Sequence, residues 1–123
     1  MNLNYALEVR QQARIVRLKA ERVDHQVAAR LKEVLYLQSR EDPPAIVLDL
    51  SEVKEMDSSG LGALLFGKRQ ANARGGDLLL VGVAQAIGTM IQIAQLGHVF
   101  ATFTSVDQAL AFLDENKPNH SDG

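Results

Sequence analysis

Cysteine and tryptophan are both absent from the chain, and its 123 residues include only three histidines. Without cysteine, a disulfide framework and a thiolate zinc site are excluded, and three dispersed histidines leave little for any other metal. Aromatic residues form 5% of the sequence, which argues against a platform that stacks single-stranded bases or sugars. We therefore expect neither a metal nor a cofactor, and we take the cytoplasm as the default location.

An excess of charge of one sign and a long apolar run are missing as well. The 13 Lys and Arg residues nearly balance the 15 Asp and Glu residues, and the formal net charge is −2. The basic residues are scattered rather than blocked, so the chain lacks the basic field that would hold nucleic acid. No apolar run approaches the ~18–20 residues that span a bilayer, and the N-terminus alternates like a strand instead of resembling a signal peptide. We expect no nucleic-acid partner and no direct membrane insertion.

What the sequence does contain is a regular alternation of strand and helix patterns. Leu3, Tyr5, Leu7 and Val9 recur at every second residue, which predicts an outer strand with one buried face. The run 13–20 follows so closely that the two strands are most simply paired antiparallel. Apolar runs at 45–50, 78–81 and 99–103 predict further strands, and apolar stripes at 27–35, 61–71, 87–94 and 106–113 predict four helices.

The resulting order, ββαβαβαβα, predicts an α/β fold. We expect a single domain over residues 1–115, with a mixed, mostly parallel five-stranded sheet and four helices. Residues 116–123 are polar and are expected to form a flexible C-terminal tail. Partners and ligands tend to meet such sheets at the carboxyl ends of the parallel strands. The loops 20–24 and 49–58 each follow a strand, so we expect them to bring Asp24 toward Ser58.

One polar loop has residue types that suit the start of a helix, Met56-Asp57-Ser58-Ser59-Gly60-Leu61-Gly62. Asp and Ser side chains accept hydrogen bonds from the unpaired N–H groups of a first turn, so a hydroxyl is expected at the positive helix end. A phosphate there would meet aligned N–H groups, whereas the simpler interpretation is an ordinary cap. Gly62 and Gly67 each cost about 1 kcal/mol relative to Ala inside a helix, which indicates close contact with a neighbour.

This loop does not match a catalytic motif. A serine hydrolase places its nucleophile in Gly-x-Ser-x-Gly directly after a strand, whereas Asp57-Ser58-Ser59-Gly60 follows an extra loop and lacks the first glycine. The spacing from Gly62 to Lys68 falls inside a helix, unlike that of a phosphate-binding loop. His25 and His98 stand at predicted helix ends, where capping or surface roles are commoner than base catalysis. We therefore expect no enzymatic activity.

Residues 56–62, after the apolar strand 46–50, resemble the signature of the STAS domain, which is named for sulfate transporters and anti-sigma factor antagonists. The resemblance is strongest to the small bacterial antagonists that regulate sporulation and stress sigma factors. It extends to Val23-Asp24-His25 before the first helix and to the segments 75–78 and 94–97. One departure lies before the first helix. The family usually has Gly-Glu-Leu-Asp there, and this chain has Ala20-Glu21-Arg22-Val23-Asp24.

The resemblance implies a phosphorylation-switched protein-binding module. Ser58, the first serine after the aspartate, corresponds to the phosphoacceptor of an anti-sigma factor with ATP-dependent serine kinase activity, and a serine phosphatase reverses the reaction. The unphosphorylated antagonist sequesters the anti-sigma factor and frees the sigma factor. The implied partner-binding and phosphosite loop residues are Asp24, Asp57, Ser59, Gly60, Leu61 and Gly62, with Ser59 mainly a local hydrogen-bonding residue. The alternative is a STAS subunit of a signalling scaffold or of a membrane transporter accessory complex, binding a nucleotide or lipid.

Overall fold

The computed structural model describes residues 3–116, which form two sheets and four helices. The strands are β1 (Tyr5–Val9), β2 (Arg14–Leu18), β3 (Arg22–Val23), β4 (Ile46–Asp49), β5 (Glu55–Met56), β6 (Leu78–Val81) and β7 (Thr102–Phe103). The helices are α1 (His25–Ser39), α2 (Ser58–Ala73), α3 (Gln85–Ile93) and α4 (Val106–Glu115).

The main sheet has five strands in the order β1-β2-β4-β6-β7. β1 pairs antiparallel with β2, and every other neighbouring pair in this sheet is parallel. This arrangement confirms the predicted mixed, mostly parallel five-stranded sheet with four helices. It also confirms the order ββαβαβαβα for the elements of the main sheet and its helices.

The two faces of the main sheet pack into separate hydrophobic clusters. Leu48 and Leu80 face the layer formed by α1, α2 and α3, and they belong to the larger cluster. Val47 and Leu79 face the opposite way and pack with Leu110 of α4. All four strand residues are fully buried, as the continuous apolar runs predicted for central strands covered on both faces.

The edge strand β1 differs from the prediction that one of its faces is buried. Tyr5, Leu7 and Val9 are 38%, 41% and 53% exposed, and none of the three belongs to either hydrophobic cluster. Leu7 pairs with the buried Val16, and directly paired residues of antiparallel strands project to the same face. The side chains of Tyr5, Leu7 and Val9 therefore do project toward the sheet face that carries α1 and α2. These helices pack on each other and over the inner strands, and the edge strand extends beyond them.

A second, two-stranded sheet was not predicted. β3 pairs in parallel with β5, with Arg22 opposite Glu55 and Val23 opposite Met56. Sequence reasoning took both segments for connecting loops, because two residues cannot display a period. The last strand was also predicted too long. β7 covers only Thr102–Phe103 of the expected run 99–103.

The close approach predicted for Gly67 lies between α1 and α2. A Cβ atom at Gly67 would stand 2.5 Å from Cδ1 of Leu35, so only a residue without a side chain lets the two helices pack this closely. α2 ends at Ala73 with Arg74 as its C-cap, and Gly75 follows with a φ of +83°, a conformation that glycine adopts without strain.

At the C-terminus, Asn116 caps α4, and the rest of the predicted tail, residues 117–123, lies outside the described residues. Within residues 3–116, none of the helices combines the length and the apolar character needed to cross a bilayer.

Candidate functional site

The start of α2 is capped by the Asp57 carboxylate, one of the capping residue types in the predicted loop. Asp57 has the extended backbone of an N-cap residue, and Ser58 is the first residue of the helix. Oδ1 of Asp57 accepts hydrogen bonds from the backbone N–H of Ser59 at 2.9 Å and of Gly60 at 3.1 Å. The hydroxyl of Ser59 donates to the same oxygen. The carboxylate thus accepts from two backbone N–H groups of the first turn and from one hydroxyl, so neither serine serves as the cap.

The two serines therefore differ in their surroundings. The Ser59 side chain is half-buried and held by Asp57, whereas the Ser58 side chain is exposed. Its hydroxyl has no hydrogen-bond partner among residues 3–116. The free hydroxyl at this helix start thus belongs to Ser58.

These hydrogen bonds lower the pKa of the Asp57 carboxyl below its ordinary value. The largest cause is the Ser59 hydroxyl, followed by the backbone N–H groups of Gly60 and Ser59, and the charge of His25 adds to the effect. Donors that point at a carboxylate favour its ionised form. The Ser58 hydroxyl therefore lies next to a group that is negatively charged at neutral pH.

The small β3–β5 sheet places the start of α1 beside the start of α2. The backbone N–H of Asp57 donates to the carbonyl oxygen of Val23 at 3.2 Å, and Val23 pairs with Met56. Asp24 and Asp57 thus follow directly on paired residues, as expected from two loops at the carboxyl ends of parallel strands. Asp24 caps α1 in the same manner, since its Oδ1 accepts from the N–H groups of Gln26 and Val27 at 3.1 and 3.0 Å.

The signature glycine Gly60 is required by packing. A Cβ atom there would stand 2.3 Å from Cγ of Met56 and 3.1 Å from Cγ1 of Val23. The next residue, Leu61, is 8% exposed and belongs to the larger hydrophobic cluster. Both residues hold the helix start against the small sheet, because Gly60 lacks a side chain and the side chain of Leu61 is buried. Sequence reasoning missed the supporting pair Val23 and Met56, because it did not foresee the small sheet.

Gly62 has a different environment from Gly60 and Gly67. No atom of a neighbouring element lies within 4 Å of the position where its Cβ would stand. The close contact that the sequence predicted at Gly62 is therefore wrong within the described chain. Gly62 therefore forms an open, half-exposed patch on α2, one turn after Ser58.

A groove of about 700 Å³ lies beside the site, between the start of β1 and the first turns of α1. Its lining combines the apolar Leu3, Ala20 and Val27 with the basic Lys19 and Arg30. Both basic side chains form ion pairs, Lys19 with Glu52 at 3.5 Å and Arg30 with Glu33 at 2.9 Å. No group of three or more His, Cys, Asp or Glu side chains within residues 3–116 is arranged to hold a metal ion.

Comparison with known proteins gives a family and several relatives. The model of the STAS domain family matches residues 4–109. The chain is 29% identical over 116 residues to the anti-sigma F factor antagonist of Paenibacillus polymyxa, covering 93% of this chain and 97% of that one. It is 26% identical over 99 residues to the anti-sigma-B factor antagonist of Listeria monocytogenes, covering 80% of this chain and 87% of that one.

Solved structures share the fold. The unphosphorylated anti-sigma factor antagonist SpoIIAA superimposes with a TM-score of 0.75 at 20% identity, covering 94% of this chain and all of that one. The phosphorylated form of Bacillus SpoIIAA gives 0.65 at 21% identity, covering 89% and 99%. A sulfate transporter family protein of Wolinella succinogenes gives 0.72 at 26% identity, covering 88% and 89%.

Proposed function

The chain belongs to the STAS domain family, and we propose that within it the protein is an anti-sigma factor antagonist switched by phosphorylation of Ser58. In this proposal the unphosphorylated protein sequesters an anti-sigma factor with ATP-dependent serine kinase activity. Phosphorylation releases that partner, and a serine phosphatase restores binding. The observation that carries the proposal is the exposed Ser58 hydroxyl, without a partner among residues 3–116, at a helix start whose other polar side chains are engaged. The two relatives named as antagonists, at 26% and 29% identity, support it.

The choice of Ser58 over Ser59 follows from the hydrogen bonds of the two hydroxyls. A kinase must reach the acceptor oxygen and remove its proton as the new O–P bond forms and the bond to ADP breaks. The Ser59 hydroxyl donates its proton to Asp57, and freeing it would remove one of the bonds that hold the cap. The Ser58 hydroxyl is exposed and costs no such bond. Ser59 therefore acts as a local hydrogen-bonding residue in this proposal.

The neighbouring carboxylate makes a phosphate on Ser58 an effective switch. Asp57 already occupies the N–H groups of Ser59 and Gly60, so a phosphate cannot have these donors to itself. It would add about −1.5 to −2 charge beside an ionised carboxylate. A partner that binds this surface would have to desolvate both groups together, at a cost of about 2–5 kcal/mol in binding free energy. The folded core need not change.

The partner surface would combine Asp24, Asp57 and Ser58 with the open patch at Gly62. The small β3–β5 sheet holds these residues on one edge of the molecule. Gly60 and Leu61 support that edge from within, since both are buried. A glycine with free space at its Cβ position allows the backbone of a partner to approach the helix closely.

The test is a phosphorylation assay with purified candidate anti-sigma factors and ATP, followed by mass spectrometry. We expect the phosphate on Ser58, with labelling abolished in Ser58→Ala and retained in the matched control Ser59→Ala. The same partners should bind the unphosphorylated protein in calorimetry and lose affinity for the phosphorylated one. Full labelling of Ser58→Ala would contradict the assignment of the acceptor.

A second candidate function is favoured by the groove beside the site. Its apolar lining and basic rim suit a nucleotide or a lipid, as the alternative of a signalling scaffold or a transporter accessory subunit would require. The similarity to a sulfate transporter family protein points the same way. Titration with nucleotides and fatty acids, followed by the NMR shifts of Ala20 and Val27, tests it. Saturable shifts at these residues, with no kinase substrate activity, would favour this function over the first.

A further inference from the structure

The edge strand β1 combines exposed apolar side chains with unpaired backbone groups, and an edge of this kind favours pairing with another strand. Its alternate side chains Tyr5, Leu7 and Val9 are apolar and between 38% and 53% exposed. They lie on the sheet face that carries α1 and α2, beyond the reach of the hydrophobic cluster beneath those helices. A strand with this alternation is ordinarily buried along one face.

The backbone N–H and C=O groups of the same three residues are directed away from β2, toward the free edge of the sheet. The carbonyl oxygen of Asn4 accepts from Lys19 N–H, and Arg10 N–H donates to the carbonyl oxygen of Ala13, each at 2.9 Å. These bonds fix the even-numbered residues as the hydrogen-bonded pairs with β2. In an antiparallel ladder the intervening residues direct their N–H and C=O groups to the other side. Tyr5, Leu7 and Val9 therefore present unpaired backbone groups at the free edge.

β1 also lacks the usual features that prevent pairing at an edge. The five residues of the strand contain neither proline nor lysine, and their register with β2 runs without a bulge. Its single charged residue is Glu8, which projects to the opposite face. Arg10 and Arg17 neutralise it there, each at 2.9 Å. The edge is thus free and regular, and the one charged side chain of the strand is ion-paired.

We propose that β1 pairs with β1 of a second copy of this chain, antiparallel about a two-fold axis, so that two five-stranded sheets become one continuous sheet of ten. The segment 117–123 reads Lys-Pro-Asn-His-Ser-Asp-Gly and contains no large apolar side chain that could match this row. A second copy supplies both missing components, a complementary row of backbone groups and a matching apolar face.

The sequence of the strand selects one register. With Leu7 opposite Leu7, Tyr5 lies opposite Val9 in both copies, and all three outward residues pair. Sliding the strands so that Leu7 meets Val9 would place Glu8 directly opposite Glu8, and like charges in that position are destabilising. Sliding them the other way leaves Val9 beyond the partner's strand. The two-fold axis places both helical layers on one face and the two Ser58 sites at opposite ends.

Sedimentation measurements on the purified chain test this without partner or ATP, so their failure would leave the proposed antagonist function untouched. Only one five-residue strand of each copy takes part in the pairing, so we expect a dissociation constant on the order of 10–100 µM, weaker than that of a tight interface of about 1,600 Å². Leu7→Glu should raise it at least ~10-fold, because it places two carboxylates opposite each other. The control Ile93→Glu replaces a residue that is 77% exposed on α3 and should leave dimerisation unchanged.

A cysteine provides a second readout, since the natural chain has none. Hydrogen-bonded antiparallel pairs have Cα atoms about 5.5 Å apart, which lies within the range of a disulfide. Leu7→Cys should form a covalent dimer on oxidation, and Ile93→Cys should not. A monomer at all concentrations from about 1 µM to 1 mM would overturn the proposal. So would a dimer that Leu7→Glu does not weaken, because another surface would then be responsible.

Discussion

The start of α2 and the free edge of β1 are both exposed, but they differ in what is left unpaired. At α2 the backbone donors and the Ser59 hydroxyl are engaged by Asp57, and the side chain of Ser58 is left. Along β1 the outward backbone groups of a whole strand are left, together with its apolar side chains.

Because of this difference, the start of α2 suits a switch, whereas the edge of β1 suits a permanent contact. A single free hydroxyl in a saturated polar network can be modified without disturbing the fold, and the modification changes the local charge sharply. Along β1 the exposed groups are backbone N–H and C=O groups and large side chains that suit a lasting contact with another strand. We therefore expect the α2 site to respond to phosphorylation and the β1 edge to respond only to protein concentration.

The largest effect is expected from Ser58→Asp, which places a permanent charge beside Asp57. Affinity for the anti-sigma factor should fall by ~30-fold to several thousand-fold, as for frustrated charges at other interfaces. Calorimetry measures this loss, and the thermal midpoint should stay within a few degrees of the natural protein. Ser58→Ala, the neutral control, should bind constitutively. Undiminished affinity of Ser58→Asp, or a loss that merely follows unfolding, would contradict the switch.

Gly60→Ala tests whether the α2 site depends on the packing beneath it. The new Cβ would stand 2.3 Å from Cγ of Met56, so the helix start or the small sheet must shift. We expect the free energy of unfolding to fall by about 1–3 kcal/mol, as for other overpacked sites. Urea denaturation gives this value. Unchanged stability would mean that Met56 moves aside freely.

Gly62→Ala is the matched substitution two residues further on and should have the opposite sign. Apart from its chain neighbours and the nearby helix backbone, no atom of residues 3–116 lies within 4 Å of the added atom, and alanine is favoured over glycine inside a helix by about 1 kcal/mol. The same denaturation experiment should therefore show a stability gain of up to that size. A bulky Gly62→Leu should keep the fold and impair partner binding. Full binding by Gly62→Leu would place the partner elsewhere.

The smallest expected effect is the pH dependence contributed by Asp57, because this carboxylate is exposed. Its pKa is lowered in the folded protein, chiefly by the Ser59 hydroxyl, so its contribution to stability is present above the unfolded carboxyl pKa. The contribution is lost as the pH falls through the folded pKa. Thermal midpoints recorded from about pH 6 down to about pH 2 should fall more for the natural protein than for Asp57→Asn. Parallel curves would show that the cap gains nothing from its charge.

Much of the fold could be predicted from local pattern. The continuous apolar runs at β4 and β6 predicted strands of a mostly parallel sheet, and the two lie side by side at its centre. The same reasoning identified the α2 loop but did not choose its cap among Asp57, Ser58 and Ser59. Adjacent Asp and Ser residues have similar capping preferences, and only the three donors around Asp57 show which one accepts.

The sequence by itself determined the order of the elements, the two core faces and the position of the polar loop, because hydrophobic periods and capping residues act over a few neighbouring positions. Only the tertiary structure decided that Val23 and Met56 pair and that Gly60 must be small while Gly62 need not be. It also decided that the apolar alternation of β1 stays exposed. These features depend on which distant segments meet and on how far the helix layer extends over the sheet, and neither is contained in a local pattern of residues.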